Sequence, residues 1–575
     1  MKLTIEHILK LIELLPTNKV FDYVSGGDNK AKLMSVDKQN LKVDIVRVNA
    51  DGTEKNASMT TDILTTLSNS IKENVPFKFD NVLNGSGNVR STMEAIFAHT
   101  SEFYSCKIKR VKHLIWVPSM PHKVGEIVEY DTIKNDLEDI IEQMKPKFEE
   151  KYLSYLTAIR TKPFLLLAGI SGTGKSRIVR ELAFKSCPKY LQDKDGTTPG
   201  NYCMIEVKPN WHDSTELLGY YSNLSKGYQF KKFVKFLVKA KLNPEVPFFV
   251  CLDEMNLAPV EHYFAEILSV IETRKHPKKE NSDSIDMDVI KTGIIVESQF
   301  FKEATMKDEN GIEHHNINMS DKDWYKFFFD VAAMSEDEKK QIEKFQYQRT
   351  LQTEGLSLPD NVIIIGTVNM DDTTHQFSRK VIDRAMTIEM NGGKLSDMFS
   401  GSNDLEYLSD EEQAKWQLAF RQHYVTADEV LMVHPDHAQE IMEKVPARLE
   451  EINKALKGTP FEVSYRVLNE LTIMIGVMLD EQTGEEIDSI INKAVDRILL
   501  MKILPRIEGD SDMFRLSQEF KQKNGIIYDN RLEWLKELAP QIEIAEGEEH
   551  PQTAREKIQE MIDRLENQEF TRFWP

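Results

Sequence analysis

Three short, almost wholly apolar runs stand out from a polar background in the middle of the chain, at 164–168, 247–252 and 362–368. A strand that is buried on both faces, as in a parallel sheet, has such a continuous apolar pattern, whereas a half-buried strand alternates. A fourth segment, Tyr202–Val207, also has the pattern of a strand. An amphipathic stretch follows the first run, as a helix would. The pattern predicts an α/β core with a parallel sheet.

The last third of the chain has helical periodicity instead. Four segments show it: 410–424, 438–456, 464–478 and 488–503. They predict an all-α subdomain. A further helix near the C-terminus has one apolar face, formed by Ile558, Met561, Ile562 and Leu565. That face either packs against the preceding helices, which is the simpler interpretation, or docks a partner.

The first 130 residues have the pattern of a separate α+β module, with a short amphipathic helix at the start and a strand near 41–48. A basic cluster in this module lies among aromatic residues. It contains Lys107, Lys109, Arg110 and Lys112, with Tyr104 and Trp116 close by. Such a cluster either binds nucleic-acid phosphates and stacks on bases, or is a solvated strand face with aromatic core residues.

Composition narrows the class of protein. A net charge of −20 argues against indiscriminate binding of polyanions over the whole surface, but a local basic face could still hold DNA. The four cysteines have no metal-ligand spacing, which favours reduced thiols. Because the chain has neither the apolar core of a signal peptide nor a run of membrane-spanning length, we expect a cytoplasmic protein without a membrane partner.

The first apolar run leads into a glycine-rich loop that fits the phosphate-binding pattern G-x-x-x-x-G-K-[ST] without mismatch. Small residues let backbone N–H groups wrap a triphosphate, and the positive end of the following helix adds to the attraction. Lys175 is expected to reach the β- and γ-phosphates and the Ser176 hydroxyl to bind Mg²⁺. A merely structural glycine turn is the alternative. The predicted nucleotide contacts are Gly169, Ser171, Gly172, Thr173, Gly174, Lys175, Ser176 and Arg177.

Polar residues follow the other two apolar runs. Asp253 and Glu254 follow the second run, and Asn369 follows the third. In open parallel sheets, ligands bind at the carboxyl ends of the strands. We expect Asp253 to hold Mg²⁺ with Ser176, and Glu254 to activate the attacking water. The neutral amide of Asn369 can hold that water or the γ-phosphate without adding charge. An acidic pair without function is the alternative.

These motifs in this order, followed by a helical region, resemble an AAA+ ATPase. Within that class, 253–257 (Asp-Glu-Met-Asn-Leu) resembles the D-E-[IM]-N-[RL] of the McrB family, the motor subunits of modification-dependent restriction systems. The segment 366–372 (Gly-Thr-Val-Asn-Met-Asp-Asp) occupies the place of that family's G-T-M-N-T-A-D-R. The segment 502–509 (Lys-Ile-Leu-Pro-Arg-Ile-Glu-Gly) is similar to its K-I-L-P-K-[LI]-x-G. The resemblance covers roughly residues 150–510 of a divergent member.

The resemblance implies further site residues. Asn369 and Asp372 match the signature Asn and Asp, but Thr373 replaces the Arg that follows in the family. Arg384 is the best match to an arginine finger, a cation that one subunit supplies to the transition state of its neighbour. Arg379 is the competing choice, and a structural salt bridge is the alternative for either.

The predicted domain boundaries follow from these assignments. They are a DNA-recognition domain at 1–130, a helical linker at 131–162, an AAA+ α/β core at 163–400, a helical lid at 401–530 and a helical tail at 531–575. A charged insertion of unassigned role occupies about 275–357 within the core. The lid is expected to cap the nucleotide, with Arg466 as a lid arginine that touches it.

By resemblance, the chain is a ring-forming NTPase, expected to be a hexamer, that recognises duplex DNA and drives a separate nuclease subunit in defence against foreign DNA. The substrate stays open between ATP and GTP, because the McrB family uses GTP and most AAA+ proteins use ATP. A MoxR-like ATPase that remodels proteins is the first alternative. A nucleotide-gated scaffold that scarcely hydrolyses is the second, and the intact Glu254 and Arg384 argue against it.

Overall fold

The computed structural model divides the chain into two compact units, Met1–Lys145 and Pro146–Pro575. It describes residues 3–574 except for 24–27, 72–74, 84–86, 109–110, 119–123, 131, 133–147, 225–226, 280–284, 308–312, 316–317, 371–376, 391–404, 482–484, 517–521, 524–525 and 543–551.

In its described residues, the first unit contains two small sheets and four helices, with one large apolar cluster and a smaller one that includes Tyr104. The larger sheet is antiparallel with its strands in chain order: Val20–Asp22, Lys30–Asp37, Lys42–Val48 and Glu54–Asn56. In the smaller sheet, Phe103–Ile108 lies between an antiparallel neighbour, Val111–Trp116, and a parallel one, Ile127–Glu129. The helices are Ile5–Glu13, Thr61–Ser70, Phe79–Val82 and Gly87–Ala98.

The aromatic residues of the basic cluster belong to the interior of this unit. Tyr104 is 4% exposed and Trp116 is 0% exposed, and the indole Nε1 of Trp116 donates to Glu102 Oε2 at 2.9 Å. Lys112 pairs with Glu94 at 3.2 Å. Lys109 and Arg110 lie outside the described residues. Stacking of bases on Tyr104 or Trp116 is therefore not supported, because both rings are needed to fill the core.

The second unit is built on the predicted parallel sheet, which has five strands. We number them β1 to β5: Phe164–Gly169, Tyr202–Glu206, Phe248–Asp253, Val362–Asn369 and Met386–Glu389. Their spatial order is β5-β1-β4-β3-β2, and every neighbouring pair is parallel. Because all five run the same way, the loops after β1, β3 and β4 emerge at one edge of the sheet.

Alternate residues of each strand enter two different apolar clusters. On β1, Leu165 and Leu167 face one side, while Leu166 and Ala168 face the other. Helices cover the first side: Glu150–Thr161, Lys175–Ser186, Asp410–Ala419, Ala438–Leu456, Tyr465–Glu481, Ile487–Ile498, Arg531–Leu538 and Ala554–Gln568. Burial of both faces explains why the strands are apolar throughout.

Shorter helices and the insertion cover the other side of the sheet. The helices are Thr215–Leu218, Lys232–Lys241, Val260–Tyr263 and Ala265–Ile271, and a hairpin joins Gly219–Ser222 to Gly227–Phe230. Two short antiparallel strands, Ile294–Val296 and Leu356–Ser357, close the insertion at its base. Between them lie Ser298–Lys302, Thr305–Lys307, Glu313–His315, Asp321–Phe328, Glu336–Lys344 and Thr350–Thr353. Trp324 anchors this segment by packing on Phe230 and Phe301.

The C-terminal segment packs into the helical layer. The predicted apolar face of its helix is buried, with Ile558, Met561, Ile562 and Leu565 each at most 5% exposed. Strand Phe570–Arg572 then pairs with Glu508–Asp510. Lys557 of the same helix forms an ion pair with Glu389 at the end of β5, at 2.6 Å, and both side chains are buried. The simpler of the two interpretations of this face is therefore confirmed, since the preceding helices cover it.

Short helical segments connect these parts, among them Arg379–Ile382, Ala427–Val433, a π-turn at Leu499–Ile503, a 3₁₀ turn at Leu504–Arg506, and Ser511–Phe514. Short strands also pair at Gln522–Lys523 and Ile526–Ile527. Within the described parts of the chain, no helix has both the length and the apolar character needed to cross a bilayer.

The buried pair of Lys557 and Glu389 predicts a large effect of a single substitution. Burial raises the pKa of Glu389 although the Lys557 ammonium opposes this. Lys557→Met should lower the free energy of unfolding by about 3–5 kcal/mol, because it leaves a buried carboxyl group without its partner. Adding Glu389→Gln should recover much of that loss.

Denaturant unfolding measures both effects. The matched control is Lys454→Met, which breaks a surface pair with Glu451 in which the side chains are 53% and 36% exposed, and should cost less than about 1 kcal/mol. Equal losses for Lys557→Met and Lys454→Met would contradict the structural role of the buried pair.

Candidate nucleotide-binding site

The glycine-rich loop connects the end of β1 to the helix Lys175–Ser186. Gly169 has a φ of 159°, and a Cβ atom there would lie 2.4 Å from the carbonyl oxygen of Met390. Gly174, immediately before the helix, has a φ of 81°, in the left-handed region that favours glycine. Gly172 is left-handed as well, with a φ of 86°, so the pattern of glycines reflects one close backbone approach and two left-handed residues.

Lys175 lies inside this loop. Its side chain is buried, and its ammonium donates to the carbonyl oxygens of Gly169 at 3.0 Å and Ile170 at 2.7 Å. Thr173 Oγ1 donates to the same Ile170 carbonyl at 3.1 Å. A buried ammonium needs such partners. The Lys175 cation is therefore already at the loop that would surround a phosphate, and a bound phosphate could replace the two carbonyls as its acceptor.

A hydrogen-bonded cluster joins this loop to β3 and β4. Ser176 Oγ donates to Asp253 Oδ1 at 2.5 Å, and Thr367 Oγ1 donates to the same oxygen at 2.8 Å. The backbone N–H of Glu254 in turn donates to Thr367 Oγ1 at 2.9 Å. Hydroxyl and carboxylate oxygens are the ligands that Mg²⁺ prefers, so Ser176 and Asp253 have the right chemistry and proximity to coordinate that ion.

Glu254 and Asn369 meet at the same edge. Asn369 Nδ2 donates to Glu254 Oε1 at 2.9 Å, and Asn256 Nδ2 donates to the Asn369 carbonyl at 3.0 Å. Glu254 has φ 50° and ψ 50°, a left-handed conformation that costs a non-glycine residue of order 1–3 kcal/mol. The backbone after β3 is thus held in a strained form that directs the Glu254 carboxylate towards the end of β4.

An open pocket of ≈ 640 Å³ lies beside Ser176. Its wall includes two guanidinium groups, Arg177 and Arg180, and two aromatic rings, Phe184 and Tyr202. The volume lies within the range of small-molecule sites, about 300–1,000 Å³. Cationic and aromatic side chains next to a phosphate-binding loop suit a nucleotide, whose phosphates are anionic and whose base can stack.

The predicted arginines lie away from this cluster. Arg384 follows the short helix Arg379–Ile382, its Nη1 donates to the Lys380 carbonyl at 3.1 Å, and its Nε is buried without a hydrogen-bond partner in the described part of the chain. Arg379 is exposed and lies over the Phe461 ring at 5.3 Å. Among the described residues, neither arginine hydrogen-bonds to the phosphate loop, and the arginine-finger role of either one stays a prediction. Asp372 and Thr373 lie outside the described residues.

The structure does not bring Arg466 to the site. Its Nη2 pairs with Glu272 at 2.9 Å, and Glu272 also pairs with Lys162 at 3.0 Å. Lys162 precedes β1, whereas the phosphate loop follows it, so the two edges of the sheet are roughly 20 Å apart at 3.3 Å per residue. The ion pair with Glu272 accounts for Arg466 in its own protomer, and a nucleotide contact remains only a prediction.

Two residues of the hydrogen-bonded cluster were given no role by the sequence analysis, and neither were Arg180, Phe184 and Tyr202 in the pocket wall. Thr367 bridges Asp253 and Glu254, and Asn256 holds the end of β4. Thr367 lies inside an apolar run, where a lone threonine usually indicates only a β-branched strand residue. Asn256 was visible only as part of the resemblance to a family motif. The strand register, which places Leu252 opposite Gly366, is what brings both residues to the site.

Comparison with known proteins gives partial matches. A family model described as a domain of unknown function, DUF8727, matches residues 416–570. That region contains helical elements and the C-terminal segment, but not the phosphate loop, Asp253, Glu254 or Asn369. The Type II restriction enzyme NmeDI of Neisseria meningitidis serogroup C is 30% identical over 145 residues, which are 23% of this chain and 40% of that protein. The chain thus matches about two fifths of that enzyme's length.

Two solved structures show weaker likeness. A proposed ATPase from Cytophaga hutchinsonii is 14% identical, with a TM-score of 0.30 over 64% of this chain and 87% of its own. An active helicase, Cch of SCCmec type IV, is 11% identical, with a TM-score of 0.20 over 81% of this chain and 73% of its own. TM-scores this low do not establish a shared fold. The parallel sheet and the loop between β1 and its helix are themselves consistent with a P-loop ATPase-like core.

The bridging position of Thr367 yields a test of the site. Thr367→Val preserves shape but removes a hydrogen bond to Asp253 and the acceptor for the Glu254 N–H. We expect the Kd for a Mg²⁺–nucleotide to rise about tenfold, since a hydrogen bond to a charged group contributes about 1.5–3 kcal/mol. The Kd for the nucleotide with EDTA should change little.

Titration of a fluorescent nucleotide with and without Mg²⁺ measures this effect. Thr387→Val is the matched control, because Thr387 is a threonine of β5 that is 1% exposed and whose Oγ1 has no described hydrogen-bond partner. If Thr367→Val and Thr387→Val behave alike, Thr367 has no role in arranging Asp253.

Proposed function

We propose that this chain is a ring-forming nucleoside triphosphatase of the AAA+ class, and that it acts as a McrB-like motor in restriction of foreign DNA. One observation carries the proposal. The carboxyl ends of β1, β3 and β4 bring together a phosphate-loop hydroxyl, a metal-type carboxylate, a second carboxylate and an amide, through the contacts Ser176–Asp253 and Asn369–Glu254. In-line attack of water on a γ-phosphate requires such a group of side chains.

In this mechanism the phosphate loop binds the triphosphate and Lys175 moves from the Gly169 and Ile170 carbonyls to the phosphates. Ser176 and Asp253 would hold Mg²⁺, and the ion would neutralise charge at the phosphate oxygens. Glu254 accepts the proton of the attacking water and orients it. Asn369, which now donates to Glu254, is placed to donate to that water or to the γ-phosphate instead.

Arg384 completes the site from a neighbouring subunit. A head-to-tail interface, repeated around a closed ring, places one subunit's arginine beside the next subunit's phosphate loop. Such a cation raises turnover by about 10³–10⁵ in related phosphoryl-transfer enzymes. Arg384 precedes β5, whereas the phosphate loop follows the parallel neighbour β1, so the two lie at opposite edges of the sheet, which supports this assignment. A hexamer is the ring size that the family resemblance implies.

The restriction role rests on sequence likeness. The segments 253–257, 366–372 and 502–509 resemble McrB-family motifs, and a part of the chain is 30% identical to a restriction enzyme. Duplex DNA, recognised by the unit 1–145, and a separate nuclease subunit are accordingly proposed as partners. The nucleotide is ATP or GTP.

A MoxR-like remodelling ATPase is a second candidate. Burial of Tyr104 and Trp116 favours it, because it removes the aromatic part of the predicted DNA-binding cluster. The net charge of −20 also favours a partner other than a polyanion. In this case the first unit would be a protein adaptor, and the phosphate chemistry would be the same.

Phosphate release with ATP and with GTP, each with and without duplex DNA that carries modified or unmodified cytosine, separates the candidates. Turnover that rises with DNA, and a DNA affinity that falls steeply with salt, are expected for the restriction motor. Turnover that no DNA alters would overturn that role and favour the protein remodeller. Absence of turnover with either nucleotide, in any condition, would contradict both.

The role of Glu254 predicts a separation of binding from chemistry. Glu254→Gln should lower kcat about 10²–10⁴-fold, because the amide cannot accept the proton, while the nucleotide Kd stays within about twofold. Glu206→Gln is the control, since Glu206 lies opposite Asp253 at the end of the neighbouring β2 and is exposed. Equal turnover of Glu254→Gln and wild type would instead support a nucleotide-gated scaffold.

A further inference from the structure

The segment Lys502-Ile-Leu-Pro-Arg506 resembles a family motif, but the proposed chemistry does not use it. It spans the end of a π-helical turn, Leu499–Ile503, and the 3₁₀ turn that follows it, Leu504–Arg506. The Lys502 side chain is 1% exposed. Burial lowers the pKa of Lys502 to about 8, although the nearby Glu470 carboxylate opposes this shift. A cation this deeply buried needs a full set of acceptors.

The acceptors of Lys502 lie on two different parts of the unit. Its Nζ donates to the carbonyl oxygens of Asp383 at 2.7 Å and Ala385 at 3.0 Å, and it pairs with Glu470 Oε2 at 2.8 Å. An ammonium has three N–H donors, so these contacts use all of them. Two of the three hold the carbonyl groups of Asp383 and Ala385, the residues on either side of Arg384.

Arg506 holds the same loop by its side chain. Its Nε forms an ion pair with Asp383 Oδ1 at 3.1 Å, and the Arg506 side chain is 9% exposed. One motif therefore holds the backbone of Asp383 through Lys502 and the carboxylate of Asp383 through Arg506. Because Asp383 is held in both ways, the side chain of the next residue, Arg384, projects from a fixed position and in a fixed direction.

The far side of Lys502 is anchored to the sheet. Glu470 also pairs with Lys162 at 2.7 Å, and Lys162 pairs with Glu272 at 3.0 Å. The Lys162 and Lys502 ammonium groups overcome the effect of burial and lower the pKa of Glu470. Since Lys162 directly precedes the strand region of β1, the Arg384 loop is tied through Lys502 and Glu470 to the start of the central strand.

We propose that Lys502 and Arg506 are positioning residues that hold Arg384 in the orientation needed to enter the nucleotide site of the neighbouring subunit. The proposal rests on the proposed function, because it takes Arg384 as a residue that acts across a subunit boundary. In this proposal the 502–506 motif contributes to hydrolysis at the nucleotide site of the neighbouring subunit, rather than at the site of its own subunit.

Mixed rings test this directly. A Lys175→Ala subunit lacks its own site but keeps its Arg384, whereas a Lys502→Met subunit keeps its site but should misplace its Arg384. Lys502→Met alone should lose at least about tenfold in kcat, a part of the roughly 10³–10⁵ that an arginine finger supplies, with an unchanged nucleotide Kd. Mixed one to one with Lys175→Ala, about a quarter of the interfaces pair an intact site with an intact finger, so turnover should rise towards about a quarter of wild type.

The matched mixture is Lys502→Met with Arg384→Ala. No subunit in it has a working finger, so turnover should stay at the level of the separate variants. Two results would overturn the positioning role. The first is wild-type turnover of Lys502→Met alone. The second is that mixing with Lys175→Ala restores the turnover of Arg384→Ala but not that of Lys502→Met. The second result would mean that Lys502 supports its own site or its own fold.

The mixture of Lys175→Ala with Arg384→Ala tests the underlying function separately. If that mixture stays inactive, or if Arg384→Ala alone is fully active, Arg384 is not a finger and the positioning role is overturned with it. Should Lys502→Met fail to fold, Arg506→Gln takes its place, since it leaves Lys502 and Glu470 paired. Restoration by Lys175→Ala is expected for Arg506→Gln, and Arg506→Lys should keep more turnover than Arg506→Gln because it keeps the charge beside Asp383.

Discussion

The hydrogen bond from Ser176 to Asp253 is the contact on which the candidate site depends. It joins the first turn of the helix after the phosphate loop to the end of β3, two elements that are 77 residues apart in the chain. It forms because β1 and β3 run in the same direction, with β4 between them, so that their carboxyl ends lie at one edge. Thr367 from β4 then contributes the second donor to the same carboxylate oxygen. The helix after β1, the end of β3 and strand β4 thus each supply one oxygen to a single cluster.

The chemistry of this edge could be predicted from the sequence because local patterns encode it. A buried parallel strand is continuously apolar, so the residue at which the apolar run stops marks the carboxyl end. Asp253 and Asn369 were found in this way, whereas Gly169 was found from the phosphate-loop pattern after the first run. Their mutual proximity required only the rule that parallel strands end at one edge. Their partners were harder to predict, because Thr367 is inconspicuous within its strand and depends on register.

Long-range ion pairs could not be predicted in the same way. Arg466 was expected to touch the nucleotide as a lid arginine, yet it pairs with Glu272, some 190 residues earlier, at the other edge of the sheet. No periodicity in either segment specifies that pairing. It follows from how the helix Tyr465–Glu481 packs over the sheet, and the apolar positions of that helix fix its buried face but not its axial placement. Lys502 and its acceptors at Asp383 and Ala385 were hidden for the same reason.

Strand β5 connects the two edges. At its start, Ala385 accepts a hydrogen bond from the buried Lys502, and at its end Glu389 pairs with the buried Lys557. The next residue, Met390, lies so close to Gly169 that a side chain there would collide with its carbonyl. Four strand residues at about 3.3 Å each therefore separate the Arg384 loop from the backbone that contacts the phosphate loop. A buried lysine is costly unless it is paired. Two buried lysines from other elements are paired with the two ends of this short strand, which indicates that the position of β5 is closely constrained. Because an edge strand has only one neighbour in its sheet, here β1, these two ammonium groups supply the restraint that a second strand would otherwise provide.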